Sequence, residues 1–68
     1  MTVEWHPSGV DIVTAYEDGS PVGVVMRIGE RWQARLVGKS AGIGAYETLG
    51  AAQAAVIGAA VEHRRKRP

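Results

Sequence analysis

Two glycine-rich segments are the parts of the chain whose residue types and spacing come nearest to a phosphate-binding motif. Gly38-Lys39-Ser40 ends like a phosphate-binding loop, but that motif needs a glycine five residues earlier, where this chain has Gln33. Segment 42–47 partly matches a dinucleotide-binding pattern, but Glu47 occupies the place of its third glycine. We therefore interpret residues 38–44 as a flexible turn between a strand and a helix.

The side chains that could act as acids, bases or nucleophiles are few and scattered. His6 and His63 fall in an N-terminal turn and in a basic tail, and the three serines fall in expected loops. A catalytic triad needs such groups held together on rigid elements, and Glu17-Asp18 is typical of a turn. The chain has no cysteine, which excludes disulfides and thiolate sites. We expect no catalytic residue, no metal and no cofactor, and hence not an enzyme.

Length and charge limit the remaining classes. A chain of 68 residues buries only about 60% of its unfolded surface, so a partner subunit is a common source of added stability. No signal peptide is visible, and the apolar run 49–61 is shorter than the roughly 20 residues that span a bilayer. We expect one cytoplasmic domain over residues 1–68, without a membrane partner. Segment 1–18 is acidic, whereas segment 27–39 and the C-terminal tail 63–68 are basic.

Alternating and β-branched stretches predict three strands, at 10–16, 22–28 and 31–37. Turn-forming residues separate them, which favours an antiparallel meander, and segment 2–5 could add a short fourth strand. Thr48 is a suitable N-cap for a helix over about 49–65, whose last turn carries cations that suit the helix dipole. The predicted fold is α+β, a three-stranded antiparallel sheet packed on one C-terminal helix.

Two signals disagree about the hairpin that contains Gly29. A two-residue type II′ turn at 29–30 would pair Met26 with Gln33, whereas a three-residue loop would pair Met26 with Ala34. Because a one-residue shift exchanges the two faces of a strand, the hydrophobic pattern favours the longer loop or a bulge. The helix-facing side is then Val10, Ile12, Tyr16, Val22, Val24, Met26, Ile28, Trp32, Ala34 and Leu36. The outer side is Asp11, Val13, Ala15, Gly23, Val25, Arg27, Gln33, Arg35 and Val37.

The predicted helix has small apolar residues on more than one side. The stripe that can pack on the sheet is Leu49, Ala52, Val56, Ala59 and Ala60. Small residues also recur at four-residue spacing elsewhere on the helix, which lets a second backbone approach closely. We expect a homodimer through Gly50, Ala51, Ala54, Ala55, Ile57, Gly58 and Val61. The alternative is that alanine only supplies helix propensity.

Segments 23–24, 31–36, 44–48 and 51–55, together with Arg27, carry a resemblance to known families. This part of the chain resembles the plant ethylene-response-factor DNA-binding domain. It is also similar to the arm-type N-terminal domains of tyrosine recombinases from phages and mobile elements. Those families place an exposed sheet face in the DNA major groove. The resemblance implies DNA contacts by Arg27, Arg31 and Arg35 and a phosphate contact by Lys39.

We expect a small non-enzymatic module that binds duplex DNA through the basic outer sheet face and the basic tail, and a second class of binding function remains as the alternative. The first is a homodimeric module that binds duplex DNA. Its candidate residues are Arg27, Arg31, Gln33, Arg35, Lys39, Arg64, Arg65, Lys66 and Arg67. The second is a protein-interaction module, such as a phage or mobile-element accessory protein that docks on a host factor, or an antitoxin-like domain. Its candidate surface is the apolar outer sheet face formed by Val13, Val25 and Val37.

Overall fold

A computed structural model of the chain describes residues 2–39 and 42–65, the last three by backbone alone. Five strands precede one helix: β1 (Val3–Gly9), β2 (Ile12–Glu17), β3 (Ser20–Ile28), β4 (Arg31–Leu36), β5 (Gly42–Tyr46) and α1 (Leu49–Arg65). The strands form one antiparallel sheet in the order β1-β2-β3-β4-β5. The predicted α+β class, with one C-terminal helix packed on an antiparallel sheet, is confirmed, but the expected number of strands is too small.

The two strands beyond the predicted three lie at the edges of the sheet: β1, which contains most of the possible strand at 2–5 but is longer, and β5, which was not predicted. β1 runs through Pro7 to Gly9, where a turn is predicted, and an edge strand tolerates proline because one side of it forms no ladder. The turn predicted for 38–44 is wrong over its second half, since Gly44 of β5 pairs with Ala34. A Cβ at Gly44 would lie 3.1 Å from the Tyr46 hydroxyl oxygen. Glycine therefore lowers the strand propensity here while leaving room for the tyrosine ring.

The hairpin between β3 and β4 closes with a two-residue turn at Gly29-Glu30. Met26 pairs with Gln33, and Ile28 pairs with Arg31. Gly29 has a φ of 65°, as the first central position of a type II′ turn requires. The longer loop favoured by the hydrophobic pattern is therefore wrong.

This register reverses the predicted faces of β2 and of β3 after Val22, which packs against the core as predicted. Ala15, Gly23 and Val25 lie beneath the helix instead of on the outer side, and the outer apolar residues of these strands are those predicted for the core. The side of β4 that was predicted to face the helix is correct, because Ala34 is fully buried and Trp32 and Leu36 pack against the core. The fully buried core is Ala15, Val25, Ala34, Ala52 and Val56.

The helix α1 packs across β3, β4 and β5 and begins where predicted. The Thr48 Oγ1 atom accepts a hydrogen bond of 3.1 Å from the Ala51 N–H, which confirms the N-cap. Ala52 and Val56 form the buried stripe, so the expected docking side of the helix is correct. No helix in the described part of the chain is long and apolar enough to cross a membrane.

Candidate binding face

The sheet side opposite α1 is the surface that the fold leaves uncovered, and we call it the open face. Strand alternation fixes its members, since their neighbours Trp5, Val13, Val25 and Ala34 point toward the core. No element in the described residues packs on this side. The open face consists of Glu4, His6, Ser8, Ile12, Thr14, Tyr16, Val24, Met26, Ile28, Arg31, Gln33, Arg35 and Ala45.

The centre of the open face is apolar. Ile12 pairs with Met26 across β2 and β3, and both are half-buried, as is Val24. Ile28 continues the patch along β3 with 56% of its surface exposed. These four side chains are contiguous on two neighbouring strands, where a solvated sheet face would carry polar residues.

One polar side chain, Thr14, lies inside this apolar centre. It is only 7% exposed, and its hydroxyl is hydrogen-bonded to the Ser8 hydroxyl. Among the described residues, no buried side-chain nitrogen or oxygen lacks a hydrogen-bond partner. The centre therefore has no buried polar group that a ligand would have to satisfy.

On one side the apolar centre is bordered by β4, which we call the basic margin, and the exposed Ala45 of the edge strand β5 lies beyond it. Arg31, Gln33 and Arg35 alternate along the strand, so their side chains leave the same side of the sheet at intervals of about 7 Å. Both arginines are exposed and Gln33 is half-buried. Each is directly beside an apolar residue of β3, since Arg35 pairs with Val24 and Arg31 with Ile28. The basic margin thus borders the apolar centre along its whole length.

The opposite margin, on β1, carries an acidic and aromatic group. The Glu4 Oε1 atom lies 3.1 Å from the His6 Nε2 atom, and both side chains are well exposed. The His6 ring meets the Tyr16 ring edge-on, with 5.4 Å between centroids and 73° between planes. Together they line a shallow depression that extends to Gly19. The open face therefore has opposite chemical character at its two margins.

The residues predicted to bind DNA do not all lie on one surface. Arg27 is on the helix side of the sheet, 6.0 Å above the Trp32 ring, and its Nε donates a 3.1 Å hydrogen bond to the Gly29 carbonyl oxygen. The expected grouping of Arg27 with Arg31 and Arg35 is therefore wrong, and the register is the reason. Lys39 is exposed after β4. Arg64 and Arg65 belong to the last turn of α1, whereas Lys66 and Arg67 lie outside the described residues.

The residues predicted as an apolar protein-binding face are also dispersed. Val25 is fully buried beneath α1, and Val13 packs against the core. Val37 is 48% exposed just beyond the end of β4. This predicted face is wrong because it assumed the other register. The type II′ preference of Gly29-Glu30 was the sequence signal that could have identified the open face instead.

The outer side of α1, where the sequence predicts a dimer, is exposed over most of its length. Gly50, Ala51, Ala54 and Gly58 are exposed, and Ile57 has 37% of its surface accessible. The two remaining members differ, since Val61 is half-buried and Ala55 packs against the core. The outer side of α1 is thus accessible, but it would present mainly alanine methyl groups and glycine backbone to a second subunit.

The described residues contain no group of three or more His, Asp or Glu side chains that could hold a metal ion. The contact between Glu4 and His6 is a local one between neighbours on a single strand. Comparison with protein families, curated proteins and solved structures found no match to this chain. Its function is therefore inferred from the geometry of the open face.

Proposed function

We propose that this chain is a non-enzymatic protein-binding module and that the open face is its binding surface. The observation that carries the proposal is the apolar centre formed by Ile12, Val24, Met26 and Ile28 on an uncovered sheet side. A contiguous apolar patch bordered by polar residues is typical of a surface that another protein covers. A protein partner would remove this patch from water, at about 25 cal/mol for each Å² of apolar surface buried.

The charged residues at the two margins would determine the orientation of a bound partner. Charged side chains at the rim of an interface steer encounter and fix the relative position of the partners more than they add affinity. Arg31 and Arg35 present planar guanidinium groups that suit carboxylates, and the exposed Glu4 carboxylate offers the opposite charge at the other margin. The open face is thus suited to a partner with an apolar centre and charges of both signs.

A matched pair of variants tests the proposal. Met26→Asp places a charge in the apolar centre, whereas Ile57→Asp places one on the exposed side of α1, on the other side of the molecule. We expect proteins retained by the immobilised wild type to be retained by Ile57→Asp and lost from Met26→Asp. Circular dichroism checks that both variants fold. Equal retention by the two folded variants would contradict the proposal.

A second candidate function is duplex DNA binding, which the alternation of Arg31, Gln33 and Arg35 along one exposed strand side favours. A β-strand can enter the major groove, where arginine suits guanine and glutamine suits adenine. DNA binding is the second candidate because neither the apolar centre nor the acidic margin of the open face would neutralise phosphate groups.

Fluorescence anisotropy with a labelled duplex at low salt tests this second candidate. We expect Arg31→Ala and Arg35→Ala each to weaken binding and to reduce its salt dependence, as the loss of phosphate contacts does. Arg27→Ala is the matched control, since Arg27 lies on the helix side of the sheet. A wild-type protein that does not bind duplex DNA at tens of micromolar would exclude it.

A further inference from the structure

We infer that the partner of the open face is a second copy of this chain, in a two-fold dimer whose two open faces pack against each other. The inference rests on the proposed function, because it names the protein that the open face binds. Sheets that pack face to face lie about 10 Å apart, with their strands within roughly 30° of each other. The arrangement of apolar and charged residues selects this partner and one orientation.

The apolar centre is self-complementary about a two-fold axis that runs along the strands between β2 and β3. Rotation about this axis places β2 of one subunit over β3 of the other. Because Ile12 and Met26 are paired across β2 and β3, Ile12 of one subunit then lies over Met26 of the partner subunit. The two-fold symmetry repeats this contact. Thr14 stays bonded to Ser8 within its own subunit, so the seam between the sheets requires no new hydrogen bond.

The same rotation brings the two margins together with opposite charge. It places β1 over β4 of the partner subunit, so that His6 lies level with Arg35 of the partner subunit and Glu4, the next residue on that side of β1, approaches the same arginine. The contact occurs twice, once on each side of the axis. Glu4 is offset from that arginine by two residues along the strand, about 7 Å, which a long arginine side chain can cover. An axis perpendicular to the strands would instead place β4 over β4 and bring arginines together. Charge therefore favours the axis along the strands.

The open face also offers more to a second copy than the outer side of α1 does. The helix presents alanine and glycine around Ile57, whereas the open face presents isoleucine, valine and methionine side chains. Because the hydrophobic contribution scales with apolar area, the larger side chains favour the sheet interface. Four strands of about six residues cover an area of about 19 Å by 20 Å, or roughly 400 Å² of each subunit. A standard interface buries about 800 Å² per partner, so we expect a reversible dimer in the micromolar range.

A charge exchange tests the inference by sedimentation equilibrium from low to hundreds of micromolar protein. We expect the wild type to dimerise, and we expect Glu4→Arg and Arg35→Glu each to weaken dimerisation about tenfold, since each creates two like-charge contacts per dimer. The double variant restores the opposite charges and should return to within about threefold of the wild type. Ala54→Glu, on the outer side of α1, is the matched control and should dimerise normally.

The outcomes separate this inference from the proposed function. A wild type that stays monomeric, while Met26→Asp still abolishes binding of another protein, overturns the second copy and leaves the protein-binding function standing. A monomer whose open face binds only duplex DNA overturns both. A dimer that Ala54→Glu breaks and Met26→Asp does not places the interface on the helix and overturns the inference. Folded single variants that weaken the dimer without rescue in the double variant overturn the proposed orientation.

Discussion

Replacement of Gly23 by alanine should destabilise this protein, because a Cβ at that position has no room between the sheet and the helix. An added Cβ would overlap the Cγ1 atom of Val56 and lie 3.1 Å from the carbonyl oxygen of Arg35. Val56 is fully buried, and the carbonyl belongs to the neighbouring strand. Relief of the overlap with Val56 requires α1 to move away from the sheet, and relief of the contact with the carbonyl oxygen requires β4 to shift.

The expected loss follows from two opposing effects. Overpacking a core costs about 1–3 kcal/mol, and the severe overlap with Val56 places Gly23→Ala at the upper end. Removing the conformational freedom of a strand glycine returns about 0.5–1 kcal/mol. We expect a net loss of about 2 kcal/mol in the free energy of unfolding. A domain of this size has about 3–10 kcal/mol in total, so its melting temperature should fall by about 10 °C.

Urea unfolding followed by circular dichroism measures this effect, and a double-mutant cycle identifies its cause. Val56→Ala removes the atom that the new Cβ would strike, so the loss in the double variant should be smaller than the sum of the single losses by about 1 kcal/mol. Gly58→Ala is the control, since no atom lies within 4 Å of a Cβ there, and it should stabilise the helix by about 0.8 kcal/mol. A Gly23→Ala variant as stable as the wild type, or single losses that simply add, would show that the new Cβ does not strike Val56.

Three further substitutions test local features. Thr48→Ala removes the helix N-cap and should cost about 1 kcal/mol in thermal unfolding, whereas Thr48→Ser should keep most of it; equal losses would contradict the cap. Gly29→Ala strains the type II′ turn and should lower the free energy of unfolding by about 1–2 kcal/mol. Gly42→Ala is its control in urea unfolding: the added Cβ meets only ordinary van der Waals contacts, so its stability should stay within about 0.5 kcal/mol of the wild type. Arg27→Ala should cost about 0.5 kcal/mol by loss of its contact with Trp32; a stronger effect on dimerisation than on stability would argue against its position on the helix side.

The helix could be predicted from the sequence because its determinants are local. Thr48 supplies the cap, and the alanine-rich run that follows has high helix propensity. The buried stripe at Ala52 and Val56 follows from helical spacing alone. The central strands β2, β3 and β4 were equally accessible to prediction, since each is bounded by turn-forming residues.

The pairing of the strands could not be chosen from hydrophobicity alone. A hydrophobic pattern identifies the register only when one side of the sheet is polar. Both sides of β2 and β3 are apolar here, at Val13 and Val25 on one side and at Ile12 and Val24 on the other. Either register buries apolar residues, so the turn chemistry of Gly29-Glu30 decides. The candidate site depended on that choice, and both predicted binding faces changed with it.

The helix follows all five strands in the chain, and this order has a consequence for synthesis and folding. Neighbouring strands are consecutive in sequence, so the sheet can form hairpin by hairpin as the chain emerges. Until α1 is complete, both sides of that sheet expose apolar residues to other chains. Docking of the helix covers Val25 and leaves Met26 accessible. During synthesis, docking of the helix is therefore the step that distinguishes the interior of this protein from its open face.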